Sequence, residues 1–185
     1  MPANRRRPLE LEMHIEIKQL SECPEHLSVV GLWIYEQWWR TPENTPEIIF
    51  SRLRGHHQRD RIPFTLVAMA GRHPIGSCCV IENDCAQRPQ YTPWVAAVFV
   101  KEEYRHHGIG SRLLQEARET AGRMGIKKLY LTCKTTTSPL YQMNGWHVLE
   151  RGVEGPDSVV MTLDIVMDTG TNPGPKPSTI TMESS

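Results

Sequence analysis

The most informative stretch of this sequence is Arg105-His106-His107-Gly108-Ile109-Gly110-Ser111. It follows an apolar run at residues 95–100, which is typical of a buried strand, and it opens a segment whose apolar residues recur at helical spacing as far as Met124. The unpaired backbone N–H groups at a helix start can bind a phosphate or pyrophosphate group, and glycines let the backbone approach such a ligand closely. The stretch therefore predicts a strand, a turn that can bind an anion, and a helix.

Two common glycine-rich phosphate loops do not match this turn. The dinucleotide-binding pattern requires G-x-G-x-x-G, and the nucleoside-triphosphate loop ends in Gly-Lys-Ser/Thr. Neither pattern is present in this stretch. The remaining pattern, R-x-x-G-x-G, is short, and on its own an ordinary strand-to-helix turn would explain it. The segments that follow the turn are needed to choose between the two interpretations.

The segments after the turn predict a helix, a strand, a short helix and another strand, in that order. The first helix ends at Gly125, because glycine is a common C-terminal cap. Alternating apolar residues then predict a strand at residues 127–133. Ser138-Pro139 starts the short helix, Asn144-Gly145 ends it, and residues 146–149 resume a strand.

The order and spacing of these segments resemble those of the GCN5-related N-acetyltransferase (GNAT) family. The resemblance depends on Val98-Phe99-Val100, Arg105-x-x-Gly108-x-Gly110, Leu129-Tyr130-Leu131 and Leu140-Tyr141-Gln142-Met143-Asn144-Gly145-Trp146. The last stretch matches the family signature Leu-Tyr-x-x-x-Gly-aromatic. The similarity is strong over residues 93–150 and looser over 13–165. Thr92-Pro93-Trp94, before the turn, is similar to bacterial members whose substrates are unassigned.

The resemblance implies an α/β (α+β) fold with a mixed, mostly antiparallel sheet of six or seven strands, a splayed central strand pair and about four flanking helices. Before the turn, the sequence pattern predicts a helix at residues 25–39 with Trp38 facing inward, a second helix from Thr45-Pro46, and strands at 13–17, 64–70 and 75–81. We expect a flexible lead at 1–11, an acetyltransferase domain at 12–166, and a disordered tail at 167–185 that is rich in Thr, Gly, Pro and Ser.

Composition narrows the classes of protein to which the chain can belong. The 21 acidic and 21 basic side chains balance, so we expect no nucleic-acid partner. There is no apolar run of membrane-spanning length and no signal peptide, so we expect a cytoplasmic protein with no membrane partner. The five cysteines are an odd number without a Cys-x-x-Cys pair, which indicates reduced thiols, and the histidines lack zinc-site spacing, so no metal is expected.

The resemblance implies that acetyl-CoA is the cosubstrate. The main chain of Val98, Phe99 and Val100 would pair with the amide groups of its pantetheine arm. Its pyrophosphate would lie against the turn, whose members are Arg105, His106, His107, Gly108, Ile109, Gly110 and Ser111. Arg105 would brace the turn, and the two histidines replace the glycine and basic residue that are common in the family.

The resemblance also places Tyr141 as the general acid that protonates the departing thiolate. A phenol with an ordinary pKa of about 10 stays protonated at neutral pH and can donate its proton at that point. The alternative is a tyrosine that only packs within the short helix.

The resemblance does not identify a general base. Many relatives have a glutamate near the start of the central strand, but Trp94 occupies that position here and cannot accept a proton. Glu82 and Asp84 are the nearest carboxylates that could act through a water molecule, and a solvated strand end is the alternative role for both. No residue base is needed if the acceptor is an α-amino group, whose pKa of about 8 leaves it partly neutral.

The acceptor is expected to bind near the first two helices. Trp38, Trp39, Tyr91 and Trp94 are candidates for the pocket walls, and core anchoring is the alternative for the first two. We therefore predict an acetyl-CoA-dependent N-acetyltransferase that transfers an acetyl group to a primary amine directly, in a ternary complex. The alternatives are a noncatalytic acetyl-CoA-binding sensor or interaction module, and an enzyme whose acceptor is a peptide or protein N-terminus. Family members often dimerise, so a homodimer is a further expectation.

Overall fold

The computed structural model describes residues 12–166 and 179–181. Its strands are β1 (Glu12–Gln19), β2 (Phe64–Ala70), β3 (His73–Ile81), β4 (Trp94–Val100), β5 (Lys128–Lys134), β6 (His147–Arg151), β7 (Ser158–Asp164) and β8 (Thr179–Thr181). Its helices are α1 (Leu27–Ile34), α2 (Pro46–Arg54), α3 (Ile109–Arg123) and α4 (Ser138–Gln142), with a π-helical turn at Tyr35–Trp39 after α1. Short 3-10 turns span Leu20–Glu22, Pro24–His26 and Glu102–Tyr104.

The strands form one mixed sheet in the order β6-β7-β5-β4-β3-β2-β1-β8. Every neighbouring pair is antiparallel except β4 and β5, which run parallel. The predicted mixed, mostly antiparallel sheet with four flanking helices is therefore confirmed. Seven strands lie within residues 12–166, and β8 adds an eighth from the segment predicted as a tail. The predicted lead at 1–11 and the rest of that tail lie outside the described residues.

The sheet opens at its centre because β4 and β5 pair at only one position. Trp94 faces Tyr130 across the two strands, and the backbone N–H of Tyr130 donates to the carbonyl of Pro93 over 3.0 Å. Further along β4, its register against β3 shifts between Ser77 and Cys79, and Ala97 has a φ of +51°. This bulge adds one residue to β4 and bends it. The two strands consequently diverge towards their carboxyl ends, as the predicted splay requires.

Helices cover both faces of the sheet, because neighbouring strand residues point to opposite sides. On one side, Leu66 and Ala68 of β2 pack in a core cluster with the apolar face of α3, including Leu113 and Ala117. On the other side, Val67 and Met69 pack with residues of α1 and α2, including Val30, Ile34, Ile49 and Leu53. None of the helices in the described ranges is both long and apolar enough to span a lipid bilayer.

The first long helix differs from its prediction in one respect that matters for the site. Residues 25–39 do not form one continuous α-helix, because the wider π-helical turn replaces the last part. A π-turn adds a residue to one turn and rotates the side chains that follow. Trp38 would have faced inward at regular helical spacing but is 49% exposed, whereas Trp39 packs against the core. The prediction that Trp38 faces inward is therefore wrong.

Candidate active site

A cavity of about 1380 Å³ occupies the opening between β4 and β5. One end of the cavity is bounded by the glycine turn that precedes α3, and the side wall is formed by the π-helical turn and α2. The lining also includes Tyr141 of α4 and Glu154 of the connection between β6 and β7. Segments that are far apart in sequence therefore meet around one space.

The glycine turn presents free backbone N–H groups to the cavity. Gly108 has a φ of +73° and precedes the first residue of α3, and no side chain caps this helix start. A Cβ atom added at Gly108 would meet no heavy atom within 4 Å, so the space beside it is open. The N–H groups of the first helical turn have no partner inside the helix. This arrangement fits an anionic group, and both Gly108 and Gly110 line the cavity.

Arg105 braces this turn, as predicted from the resemblance, because its Nε donates to the carbonyl oxygen of Val100 over 3.0 Å. His106 lines the cavity and takes a positive φ of +65°, which the sequence did not indicate. His107 forms a 2.7 Å hydrogen bond between its Nδ1 and the carbonyl of Arg105. The side chain of His107 thus supports the turn and is not part of the cavity lining.

The cavity edge of β4 offers backbone groups without a strand partner. Val98 and Val100 line the cavity, whereas Phe99 stacks its ring on Trp33 at 5.0 Å between ring centroids. Within the described residues, β4 has no pairing with β5 beyond Trp94. An extended ligand with amide groups could therefore add to this edge as a further strand would.

Tyr141 reaches the cavity from α4. Its ring packs edge to face against Trp146, with 6.4 Å between centroids and an interplanar angle of 77°. Burial, with smaller contributions from the nearby Cys133 and Cys78, holds the pKa of the Tyr141 phenol well above its usual range. Asn144 fixes this helix by donating from Nδ2 to Ser111 Oγ over 3.0 Å. The phenol thus lies at the cavity in its protonated form.

Of the two carboxylates predicted as possible bases, the structure brings Asp84 to the cavity and leaves Glu82 out of its lining. Asp84 still contacts water, but burial among the cavity walls raises its pKa to about 6, and the negative charge of Glu154 adds to this effect. Glu154 is held in place because it accepts a 2.9 Å hydrogen bond from Thr132 Oγ1. Sequence reasoning missed Glu154, whose one signal is an acidic residue in the Gly152–Gly155 loop.

The helical wall contains both predicted tryptophans and two residues that sequence reasoning missed. Trp38 and Trp39 line the cavity together with Arg52 of α2 and His56, which follows α2. The Arg52 guanidinium lies 4.3 Å from the centroid of the Trp39 ring. Burial lowers the pKa of His56 to about 4, and its Nδ1 is 2.7 Å from Thr65 Oγ1. The sequence could have indicated that these residues share one helical face, because the spacing of Ile49, Arg52, Leu53 and His56 is that of a helix.

Tyr91 and Trp94 are not among the residues that line the cavity, which corrects their prediction as pocket walls. Trp94 is fully buried at the single point where β4 and β5 pair, so its ring fills the closed end of the splay. Tyr91 stacks on Tyr130 at 4.7 Å between centroids and donates from Oη to Glu150 over 2.6 Å. Both residues therefore join the two halves of the sheet.

The five cysteines Cys23, Cys78, Cys79, Cys85 and Cys133 are all free thiols, and only Cys133 is partly exposed. Across residues 12–166 and 179–181, no group of three His, Cys, Asp or Glu side chains is arranged to hold a metal ion.

Comparison with known proteins gives a family match. The family model described as "Acetyltransferase (GNAT) family" matches residues 25–146, which include the helical wall, β4, the glycine turn and Tyr141. None of the curated protein sequences matches the chain significantly.

Solved structures support the fold at low sequence identity. A GNAT-family acetyltransferase from Streptococcus pneumoniae superposes with a TM-score of 0.62 at 23% identity, covering 82% of this chain and 99% of that chain. An aminoglycoside 6'-N-acetyltransferase complexed with coenzyme A gives a TM-score of 0.63 at 14% identity, covering 84% and 99%. A GNAT-family acetyltransferase from Staphylococcus aureus gives 0.58 at 18% identity, covering 82% and 99%. At these identities the likeness shows the fold.

Proposed function

This chain belongs to the GNAT family of acetyltransferases, and we propose on that basis that it transfers an acetyl group from acetyl-CoA to a primary amine directly, within a ternary complex. The observation that supports the proposal is that elements able to bind a ligand and groups able to transfer protons surround one cavity. An anion-binding turn bounds the cavity, and a protonated phenol and a carboxylate of raised pKa face into it. Direct transfer needs both the binding elements and the proton-handling groups around one space.

The residues present fit acetyl-CoA. The turn from Arg105 to Ser111 would hold its pyrophosphate, because the start of α3 offers unpaired N–H groups in open space. The unpaired edge of β4 at residues 98–100 would bind the amide groups of the pantetheine arm. When bound, acetyl-CoA supplies an activated acyl thioester and departs as a thiolate.

Tyr141 acts as the general acid in this proposal. Its raised pKa keeps the proton on Oη at every physiological pH, so the group is available as a donor to the leaving sulfur. Its contacts with Trp146 and the tie between Asn144 and Ser111 hold the phenol in position relative to the glycine turn. A backbone N–H of β4 near Phe99 would stabilise negative charge that develops on the acyl oxygen.

Asp84 is the proposed general base. An acceptor amine is mostly protonated at neutral pH and must lose a proton before it can attack. A carboxyl group with a pKa of about 6 is mainly ionised at pH 7 yet basic enough to accept that proton, directly or through water. Burial is the main cause of this raised pKa. Glu154 adds to the effect and supplies negative charge that attracts the ammonium form of the acceptor.

The remaining expectations stay predictions. A cytoplasmic location, the lack of nucleic-acid and membrane partners, and a homodimer belong to this group. A peptide or protein N-terminus is the alternative acceptor, since its α-amino group has a pKa of about 8.

The proposal is tested by calorimetric titration of the full chain with acetyl-CoA, followed by measurement of thiol release with amines, amino acids, aminoglycosides and short peptides. We expect saturable binding and release that depends on one class of acceptor. The variant Arg118→Ala should bind acetyl-CoA and release thiol as the wild type does, because Arg118 is exposed on α3 away from the cavity lining. Binding without release for every acceptor would support the noncatalytic alternative, and no binding would contradict the proposed cosubstrate.

A further inference from the structure

The acidic lining residues Asp84 and Glu154 and the basic residue Arg52 lie on different walls of the cavity, and this arrangement restricts the acceptor. The carboxylates Asp84 and Glu154 lie in the loops that follow β3 and β6. Arg52 lies on α2, in the part of the helical wall that we call the α2 wall. From this arrangement we infer that the acceptor is an amino acid or a similar amine with an anionic group, and that Arg52 binds the anionic group. The inference rests on the proposed function and names its substrate class.

Arg52 is an exposed residue of α2 whose side chain rests on the cavity wall. Ile49 and Leu53, on the same helical face, are 3% and 4% exposed and anchor the helix to the core. Arg52 extends from this face over the ring of Trp39, which limits the conformations of the guanidinium. Trp39 packs in the cluster that contains Ala96 and Ala97, so this part of the wall adjoins the bulge of β4.

The guanidinium of Arg52 is able to bind a ligand. Among the described residues, Arg52 forms no ion pair with an acidic side chain, in contrast to Arg88 and Arg123. A guanidinium stacked on an aromatic ring keeps its N–H edges available, and these edges match a carboxylate in a two-point hydrogen bond. Within the described part of the chain, the cavity therefore contains a cation that rests on an aromatic ring and has no acidic partner.

The other basic residues that line the cavity do not supply the positive charge of the α2 wall. His56 is neutral at physiological pH, because burial lowers its pKa to about 4. Arg105 belongs to the glycine turn, where its Nε is engaged with the carbonyl of Val100. Lys134 lines the cavity at the carboxyl end of β5, in the segment that leads to α4. The positive charge of the α2 wall is thus supplied by Arg52.

The pairing of opposite charges selects between classes of amine. A polycationic acceptor would place a second ammonium near Arg52, and repulsion between like charges would disfavour binding. An acceptor with one ammonium and one carboxylate complements both walls, because its ammonium can face Asp84 while its carboxylate faces Arg52. Zwitterionic amines therefore fit this cavity better than polyamines do.

The test compares each of several L-amino acids with its α-amide and with its decarboxylated amine, in the full chain saturated with acetyl-CoA. The two analogues shift the pKa of the amine in opposite directions, so a loss shared by both reports the missing carboxylate. We expect kcat/KM for the amino acid to exceed that for both analogues by about 10- to 100-fold, the usual range for a charged hydrogen bond. Titration of the amino acid into the CoA complex provides a second readout that needs no turnover.

Arg52→Gln should reduce the preference for the carboxylate to about threefold or less, and Arg52→Lys should retain part of the preference because the charge remains. Arg54→Gln, an exposed arginine on the same helix that is outside the cavity lining, should keep the wild-type preference. If amines are acetylated without a preference for the carboxylate, or if the preference survives in Arg52→Gln, the inference is overturned. If no amine is acetylated at all, the proposed function itself fails.

Discussion

Removal of the Tyr141 hydroxyl group should lower the rate of acetyl transfer without weakening the binding of acetyl-CoA. Tyr141→Phe keeps the ring that packs on Trp146 and removes only the proton donor. We expect kcat to fall about 100-fold, within the range usual for general acid catalysis, while the Kd for acetyl-CoA stays nearly constant. Steady-state kinetics and calorimetric titration of the same preparation measure the two effects. An equal loss of binding would show that the hydroxyl is structural.

The raised pKa of Asp84 predicts a pH profile. In the wild type, kcat/KM should rise with pH through about 6 as the carboxylate ionises, and Asp84→Asn should abolish this limb and lower kcat about 100-fold at pH 7. Glu82→Gln is the discriminating comparison, because Glu82 is outside the cavity lining. If Glu82→Gln removes the limb and Asp84→Asn does not, the two carboxylates have been assigned the wrong way round.

The same pKa shift has a consequence for stability. A carboxyl group whose pKa is higher in the folded protein than in the unfolded chain stabilises the fold below about pH 4 and loses that contribution as pH rises through 6. Asp84→Asn should therefore have a higher Tm than the wild type at pH 7.5, with the difference shrinking at pH 4. Thermal unfolding at the two pH values measures this, and a difference that is independent of pH would contradict the shift.

Sequence reasoning found the residues of this site that belong to a local motif and missed several of those brought in by tertiary packing. Tyr141 and the glycine turn each lie within a few residues of other motif positions, so spacing identifies them. Arg52 and Glu154 reach the cavity only because α2 and the β6–β7 connection fold over the same opening. The outward position of Trp38 also depends on a π-turn, which replaces regular helix without a distinct residue pattern.

At the scale of the element, a substitution in the unit formed by β4, the glycine turn and α3 should affect ligand binding without lowering the stability of the fold. Gly110 lies in the first turn of α3, and its added Cβ would come no closer than 4.0 Å to Val100, so alanine is tolerated by the fold. Alanine is favoured over glycine inside a helix by about 1 kcal/mol, so Gly110→Ala should keep or raise Tm. The same methyl group would stand at the proposed site of the pyrophosphate, so the Kd for acetyl-CoA should rise about tenfold or more.

Thermal unfolding and calorimetric titration with acetyl-CoA measure both effects, with Arg118→Ala as the control on the same helix. A Gly110→Ala protein that binds acetyl-CoA as tightly as the wild type would show that the ligand does not approach this turn. Periodicity predicted this element because its apolar face is regular from Ile109 onwards. The bulge of β4 could not be predicted in the same way, since Ala97 adopts a φ of +51° that alanine seldom takes without tertiary constraint.

At the scale of the whole molecule, the sheet consists of two halves that meet at one narrow joint. Backbone pairing between β4 and β5 is limited to Trp94 and Tyr130, and the core cluster that contains the apolar face of α3 includes residues of both halves. On the joint itself, Trp94 packs with Cys85 and Val160 in a separate buried cluster. Arg88 adds an ion pair to Glu150 of β6, which links the segment before β4 to the far half of the sheet.

Because Trp94 fills the closed end of the splay, its truncation should weaken the joint and the active site together. Trp94→Ala should cost about 3–5 kcal/mol of unfolding free energy, as usual for a large buried side chain, whereas Trp38→Ala should cost less than about 1 kcal/mol because Trp38 is 49% exposed. Urea unfolding measures both variants, and Trp94→Phe provides a milder change if Trp94→Ala does not fold.

Acetyl-CoA at about 100 times its Kd should add about 2.7 kcal/mol to the unfolding free energy of the wild type. At that same concentration Trp94 variants should gain less, because a loosened joint no longer holds β4 and β5 at the separation that the ligand fits. An undiminished gain would show that the joint at Trp94 does not set the opening.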